Sequence, residues 1–367
     1  MERNLSSAVG PSAPESGQTS IWHGVGRLAD RAATLDDLRL HRIHLVVARH
    51  WRSEGKPVPS ELAQEEHASM MVGLAATHLL QRVRAGYDGR IVLMKGLEVG
   101  AHYPDSSLRP FRDLDLLVDD AAIAQQELID AGFEPTGDER LYVGIHHLRP
   151  LRWPGLPLVV EIHDRPKWLD WQTPPPTAEL LNAAVPSRVG VDGVETLPPA
   201  YHVLVLAVHS WAHDPLSRIG HLLDVAALAQ SASRADVDAL ATAWGVERVW
   251  RATAAAAAGL FQRGKVPTKM RSWAGHLESV RERTVVESHL ERWLSPFWGR
   301  RPRPALGAAL AALRTDFVPE EGESWRVKGA RVAQGLRTPF RRLSRHRAAL
   351  EEKSISGPSF LDRRDDD

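Results

Sequence analysis

The 367-residue sequence contains no cysteine, which excludes disulfides, thiolate metal sites and a cysteine nucleophile. This fits a reducing compartment, so a cytoplasmic location is expected. Neither sign of charge is in excess: 46 Lys and Arg face 46 Asp and Glu. No global field therefore draws the chain to nucleic acid or to a membrane, and any such attraction has to be local. No apolar run approaches the roughly 20 residues of a membrane span. Fixed-period repeats are absent as well. Residues 1–20 are rich in Ser, Pro and Gly and lack the apolar stretch of a signal peptide; they read as a disordered tail on a soluble protein without membrane contact.

What is present falls into two kinds of pattern, enough for about two domains. Leu35 to Trp51 and Ser60 to Arg84 read as helices, the second with Ser60 as N-cap and Glu61 in its first turn. Short strands are expected at 91–94, 113–118, 141–143, 147–153 and 158–163, with Pro154 to Pro157 turning the last two into an antiparallel hairpin. Asp119 or Asp120 caps a helix that Gly132 ends, and Val189 to Val194 reads as a small hairpin with an Asp-Gly turn. From Pro198 onward the period turns helical, over 200–212, 216–230, 235–244 and 248–261, with Pro302 and Pro304 dividing this bundle from a tail. The expected fold is α+β: a small mixed sheet flanked by helices in a domain over 21–197, a helical bundle over 198–300, and a helical, basic, partly disordered tail over 301–367.

Two stretches carry chemistry. Ile91 to Met94 is an apolar strand running into Lys95-Gly96, and Gly96 permits a tight turn into a helix expected over 97–103. A strand, a glycine and a helix start make an anion site, because first-turn N–H groups and the helix dipole face the turn. In the second stretch Asp113 and Asp115 lie two apart in a strand, so both project from one face while Leu114 and Leu116 face the core. At roughly 6 to 7 Å between Cα atoms they suit a pair of divalent cations. A later apolar strand is interrupted only by Glu161 and His163, again two apart, and a buried strand carries such groups for a reason.

In that order these features resemble the polymerase-β-type nucleotidyltransferase superfamily. More closely, Lys95-Gly96, Tyr103-Pro104, Arg109-Pro110, Asp113 with Asp115, and Glu161-Ile162-His163 resemble a bacterial nucleotidyltransferase family of the NTP_transf_5 type, over roughly residues 75–230. The resemblance implies that Asp113, Asp115 and Glu161 hold two Mg²⁺ ions and are catalytic, moving a nucleoside monophosphate from an NTP to a hydroxyl with release of pyrophosphate. Lys95, Gly96, Arg109 and His163 are then the nucleotide-binding candidates. The acceptor is a small molecule, a peptide or protein, or a tRNA.

Each candidate has an ordinary alternative. The acids are otherwise solvated edge-strand residues, Lys95 a surface lysine, Arg109 a structural partner of an aspartate, and His163 a half-buried structural histidine. His209 and His213, one helical turn apart, with Arg218 and Asp224 following, line the acceptor side or form a buried polar network; without the Glu of a zincin motif they make a poor zinc site. Arg326 to Arg347 is basic without an acid and is a solvated helix or a contact for RNA, another anionic partner or the acidic C-terminus, although Phe340 alone offers little stacking surface. Two other functions stay open: an inactive nucleotide-binding accessory protein, since Leu97 stands where the wider superfamily has a small residue, and an RNA-binding helical protein.

Overall fold

The computed structural model describes residues 20–319, 322, 324–329 and 342. The expected disordered tail, apart from residue 20, and most of the basic stretch 326–347 lie outside the described residues. The fold is α+β, as expected, with one mixed sheet among helices and a helical second half. Its strands are β1 (Ile91–Leu93), β2 (Asp113–Val118), β3 (Glu134–Pro135), β4 (Leu151–Arg152), β5 (Val159–His163), β6 (Val185–Pro186) and β7 (Val194–Thr196), in the order β3-β4-β5-β2-β1-β7-β6. At the centre β2 runs parallel to β5 and antiparallel to β1.

Strand alternation sorts side chains onto two faces. Ile91, Leu93, Leu114, Leu116, Val118, Val160 and Ile162 form one core with Ala76, Leu79, Leu80 and Val83 of the helix Ser60–Gly86 and with Ala124 and Leu128 of the helix Ala121–Asp130. Val92, Met94 and Leu117 join a second, larger core built with the helices Pro199–His213, Ile219–Ala229 and Glu247–Arg263. Asp113 and Asp115 share the face of Leu117, and Glu161 shares that of His163. The polar side chains therefore meet where the sheet faces the helical half.

Several local expectations shift. The helix expected over 35–51 is two, Leu35–Leu40 and His44–Ser53, broken at Arg42, whose φ is 56°. Long-range contacts hold the break: the His41 carbonyl accepts from Gly220 N at 2.8 Å, and its ring donates to the Arg281 carbonyl at 3.0 Å. Pro59, not Ser60, occupies the N-cap of Ser60–Gly86. Asp120 caps Ala121–Asp130, accepting from the N–H groups of Ala122 and Ile123. The strand expected at 141–143 is a 3₁₀ turn over Glu139–Tyr142, started by Asp138, with Leu141 and Val143 exposed and no neighbouring strand to recruit them. The hairpin at 189–194 is displaced outward: β6 and β7 pair, and 187–193 is their loop. Pro302 opens the helix Pro302–Phe317 at its first position, where its missing N–H costs nothing. No helix among the described residues is long and apolar enough to cross a membrane.

Candidate active site

The site begins at the end of β1. Met94 N donates to the Asp115 carbonyl at 2.9 Å, and the Met94 carbonyl accepts from the buried His202 Nε2 at 2.6 Å. The strand end is thus clamped between sheet and bundle. Lys95 turns back from it, and its Nζ reaches Asp115 Oδ1 at 2.6 Å. At Gly96 φ is 63° and ψ −122°, a conformation that favours glycine; a Cβ there would meet Leu114 Cδ2 at 3.2 Å and the Asp113 carbonyl at 3.3 Å. The helix it opens is only Leu97–Gly100, shorter than the expected 97–103, so its dipole is correspondingly slight.

Register does the rest. Across the parallel pair β2–β5, Asp115 lies opposite Glu161, Asp113 opposite Val159 and Leu117 opposite His163. Asp115, Glu161 and His163 each offer a ligand atom within 4.8 Å of the others. His163 Nε2 lies 3.3 Å from Asp115 Oδ1 and 3.8 Å from Glu161 Oε2. The expected metal set of Asp113, Asp115 and Glu161 is therefore tightest with His163 in place of Asp113, while Asp113 remains close enough for its charge to act on Glu161. The Asp115 side chain is buried, yet among the described residues its Oδ2 has no hydrogen-bond partner and His163 Nδ1 has none either, while His163 Nε2 lies beside Asp115 Oδ1.

The electrostatics follow from crowding acids in a partly dry place. Burial, then the charges of Asp115 and Asp113, raise the Glu161 carboxyl to about 8. Burial and Asp115 also push Asp113 up. Burial opposes ionisation of Asp115 too, but Lys95 and His163 hold it well below the usual carboxylate range. One of three acids is matched by a lysine and two are destabilised as anions, the condition that a divalent cation relieves. The unpartnered Asp115 Oδ2 and the His163 Nε2 turned to the carboxylates fit such an ion.

Arg109 and Asp224, candidates for the phosphate and the acceptor side with a structural pairing as the alternative, pair with each other. Arg109 Nε and one terminal nitrogen contact the two Asp224 oxygens at 2.8 and 3.0 Å, Tyr103 Oη donates to Asp224 Oδ1 at 2.7 Å, and Arg109 also reaches the Gly96 carbonyl at 3.3 Å. Together they brace the glycine turn against the helical half. His209 and His213 stack edge to face with ring centroids 4.5 Å apart, and Asp115 lies close enough for its charge to act on both. Among the described residues they belong to no metal-ligating group of three. Arg218 lies near Arg42 and His221.

Sequence reasoning missed Lys167, whose Nζ is 2.7 Å from His213 Nδ1; burial and the nearby Lys95 lower it to about 8. It missed Arg42 too, whose charge reaches Asp113. Neither belongs to a spaced motif, and only folding brings them in. Hollows around Asp36, Asp37 and Arg342 and around Glu98, His102 and Arg188 lie apart from the acids, which line neither.

No curated protein and no solved structure matches the sequence significantly. A family model described as uncharacterised nucleotidyltransferase matches residues 29–262, well over half the chain and the part that holds every side chain of the acid group. The chain belongs to this NTP_transf_5 nucleotidyltransferase family.

Proposed function

We propose that this protein moves a nucleoside monophosphate from an NTP to a hydroxyl acceptor, with Asp113, Asp115 and Glu161 as its catalytic acids. One observation carries the reading: Asp115 and Glu161 are direct partners in the parallel β2–β5 register, on the sheet face that Asp113 shares. Divalent cations bound there would neutralise phosphate charge and ease ionisation of the acceptor. Lys95, beside the Gly96 turn, is placed to exchange its contact with Asp115 for a phosphate oxygen. Glu161, ionised once a cation is bound beside it, would take the acceptor's proton as the hydroxyl oxygen bonds to the α-phosphorus. The α–β phosphoanhydride then breaks and pyrophosphate leaves. His209, His213, Arg218 and Lys167 from the helical half and its approach loop would face the acceptor.

The test incubates the protein with each radiolabelled NTP, a divalent cation and a cell extract, then locates label and released pyrophosphate. Transfer that Asp115→Asn and Glu161→Gln reduce by about 10²-fold or more, in folded variants, supports the reading. Nucleotide binding without transfer or pyrophosphate release would instead make this an accessory protein.

A further inference from the structure

We propose that His163 is itself a metal ligand, and that the cation it shares with Asp115 and Glu161 is a transition-metal dication, with Mn²⁺ bound in preference to Mg²⁺. Use of this cation in catalysis rests on the nucleotidyltransferase reading; its binding does not. His163 is 1 % exposed; among the described residues its Nδ1 makes no hydrogen bond, and its Nε2 faces the Asp115 and Glu161 carboxylates. A buried imidazole that is only partly partnered loses hydration without full compensation, which a bound cation would make good. Nε2 is the nitrogen turned to the carboxylates, 3.3 Å from Asp115 Oδ1 and 3.8 Å from Glu161 Oε2. Asp115 Oδ2 is bare in the same place. Three groups from two adjacent strands, all unsatisfied or only partly satisfied, thus converge within 4.8 Å of one another.

The donor set decides the metal. Mg²⁺ is a hard ion that favours oxygen ligands and retains its waters, whereas imidazole nitrogen suits first-row transition metals. The rings of His146 and His147, with centroids 5.4 and 5.2 Å from that of His163, pack around the ligand without joining the group. They pack beside the His163 ring and restrict its movement.

The experiment titrates the full chain with Mn²⁺ alone and follows bound ion by electron paramagnetic resonance, with electron spin echo modulation reading directly coordinated ¹⁴N. One imidazole coupling in the native protein, lost in His163→Leu and kept in His146→Leu, together with Mg²⁺ binding weaker than Mn²⁺ by about tenfold or more, is expected. His163→Asn serves if the leucine variant does not fold, since it too lacks an imidazole. Bound Mn²⁺ without ¹⁴N coupling, or coupling that persists without His163, overturns the assignment, as does failure of the native protein to bind Mn²⁺. Imidazole coupling in a protein that transfers no nucleotide would uphold this ligand while the reaction reading falls; transfer without coupling would do the reverse.

Discussion

Lys95 and Gly96 show how single residues set the site's charge and shape. With its ammonium 2.6 Å from an oxygen of the buried Asp115, Lys95 is the first of the groups that compensate that charge, ahead of His163. Lys95→Met should therefore destabilise the protein by about 3 kcal/mol, as removal of one partner of a buried pair does. The loss should shrink when Mn²⁺ is added, because the cation replaces the missing charge; a thermal-shift series with and without Mn²⁺ checks this, and an unchanged gap would count against a cation at Asp115. Gly96 was legible from its place between strand and helix. Its positive φ makes Gly96→Ala strained by about 1 to 3 kcal/mol, and the displaced turn carries Lys95 with it. A lower denaturation midpoint together with reduced nucleotide transfer is expected, and a variant as stable and active as the native protein would refute the strain argument.

At the scale of elements, the sheet and the helical half are joined by polar contacts of residues that the sequence offered as either ligand groups or structural partners. Arg109 and Asp224 are 115 positions apart and largely buried against each other. Asp224→Ala should cost about 3 to 5 kcal/mol by leaving the guanidinium unpaired, whereas the double replacement Arg109→Met with Asp224→Leu should recover much of that loss. Urea unfolding of the native, two single and double variants gives the coupling; additive losses would remove the brace from this account. A salt-bridged arginine and a phosphate-binding arginine have the same sequence signature. The strand alternation was readable, as was the hairpin before Glu161, but the shared parallel register of β2 and β5 was not.

For the whole molecule, histidines buried between distant segments make stability depend on pH. His41 donates to the Arg281 carbonyl and accepts weakly from Ile219 N, and His202 donates to the Met94 carbonyl. Burial lowers both to about 4, against 6.5 for the free group. The fold thus prefers the neutral ring, and the unfolded chain binds the extra proton. The stabilisation is complete above about pH 6.5 and is lost as pH falls from there towards 4, by about 3 kcal/mol for each ring. Urea midpoints at pH 7.5, 5.5 and 4.5 should fall in that order, and His202→Gln should flatten the trend; a midpoint insensitive to pH would contradict it.

Local periodicity by itself determined that Leu114 and Leu116 go inward while Asp113 and Asp115 share the opposite face, that Glu161 and His163 do the same on a later strand, and that a glycine turn precedes them. These follow from the two-residue repeat of a strand and from backbone sterics, which act between near neighbours. Only the tertiary structure decided that Asp115 stands beside Glu161, that His163 is closer to them than Asp113 is, that Lys95 neutralises Asp115, that Arg109 belongs to Asp224, and that Lys167 meets His213. Such pairings depend on how sheet and helices pack, and packing is set by the whole apolar surface at once, so no short window of sequence contains it.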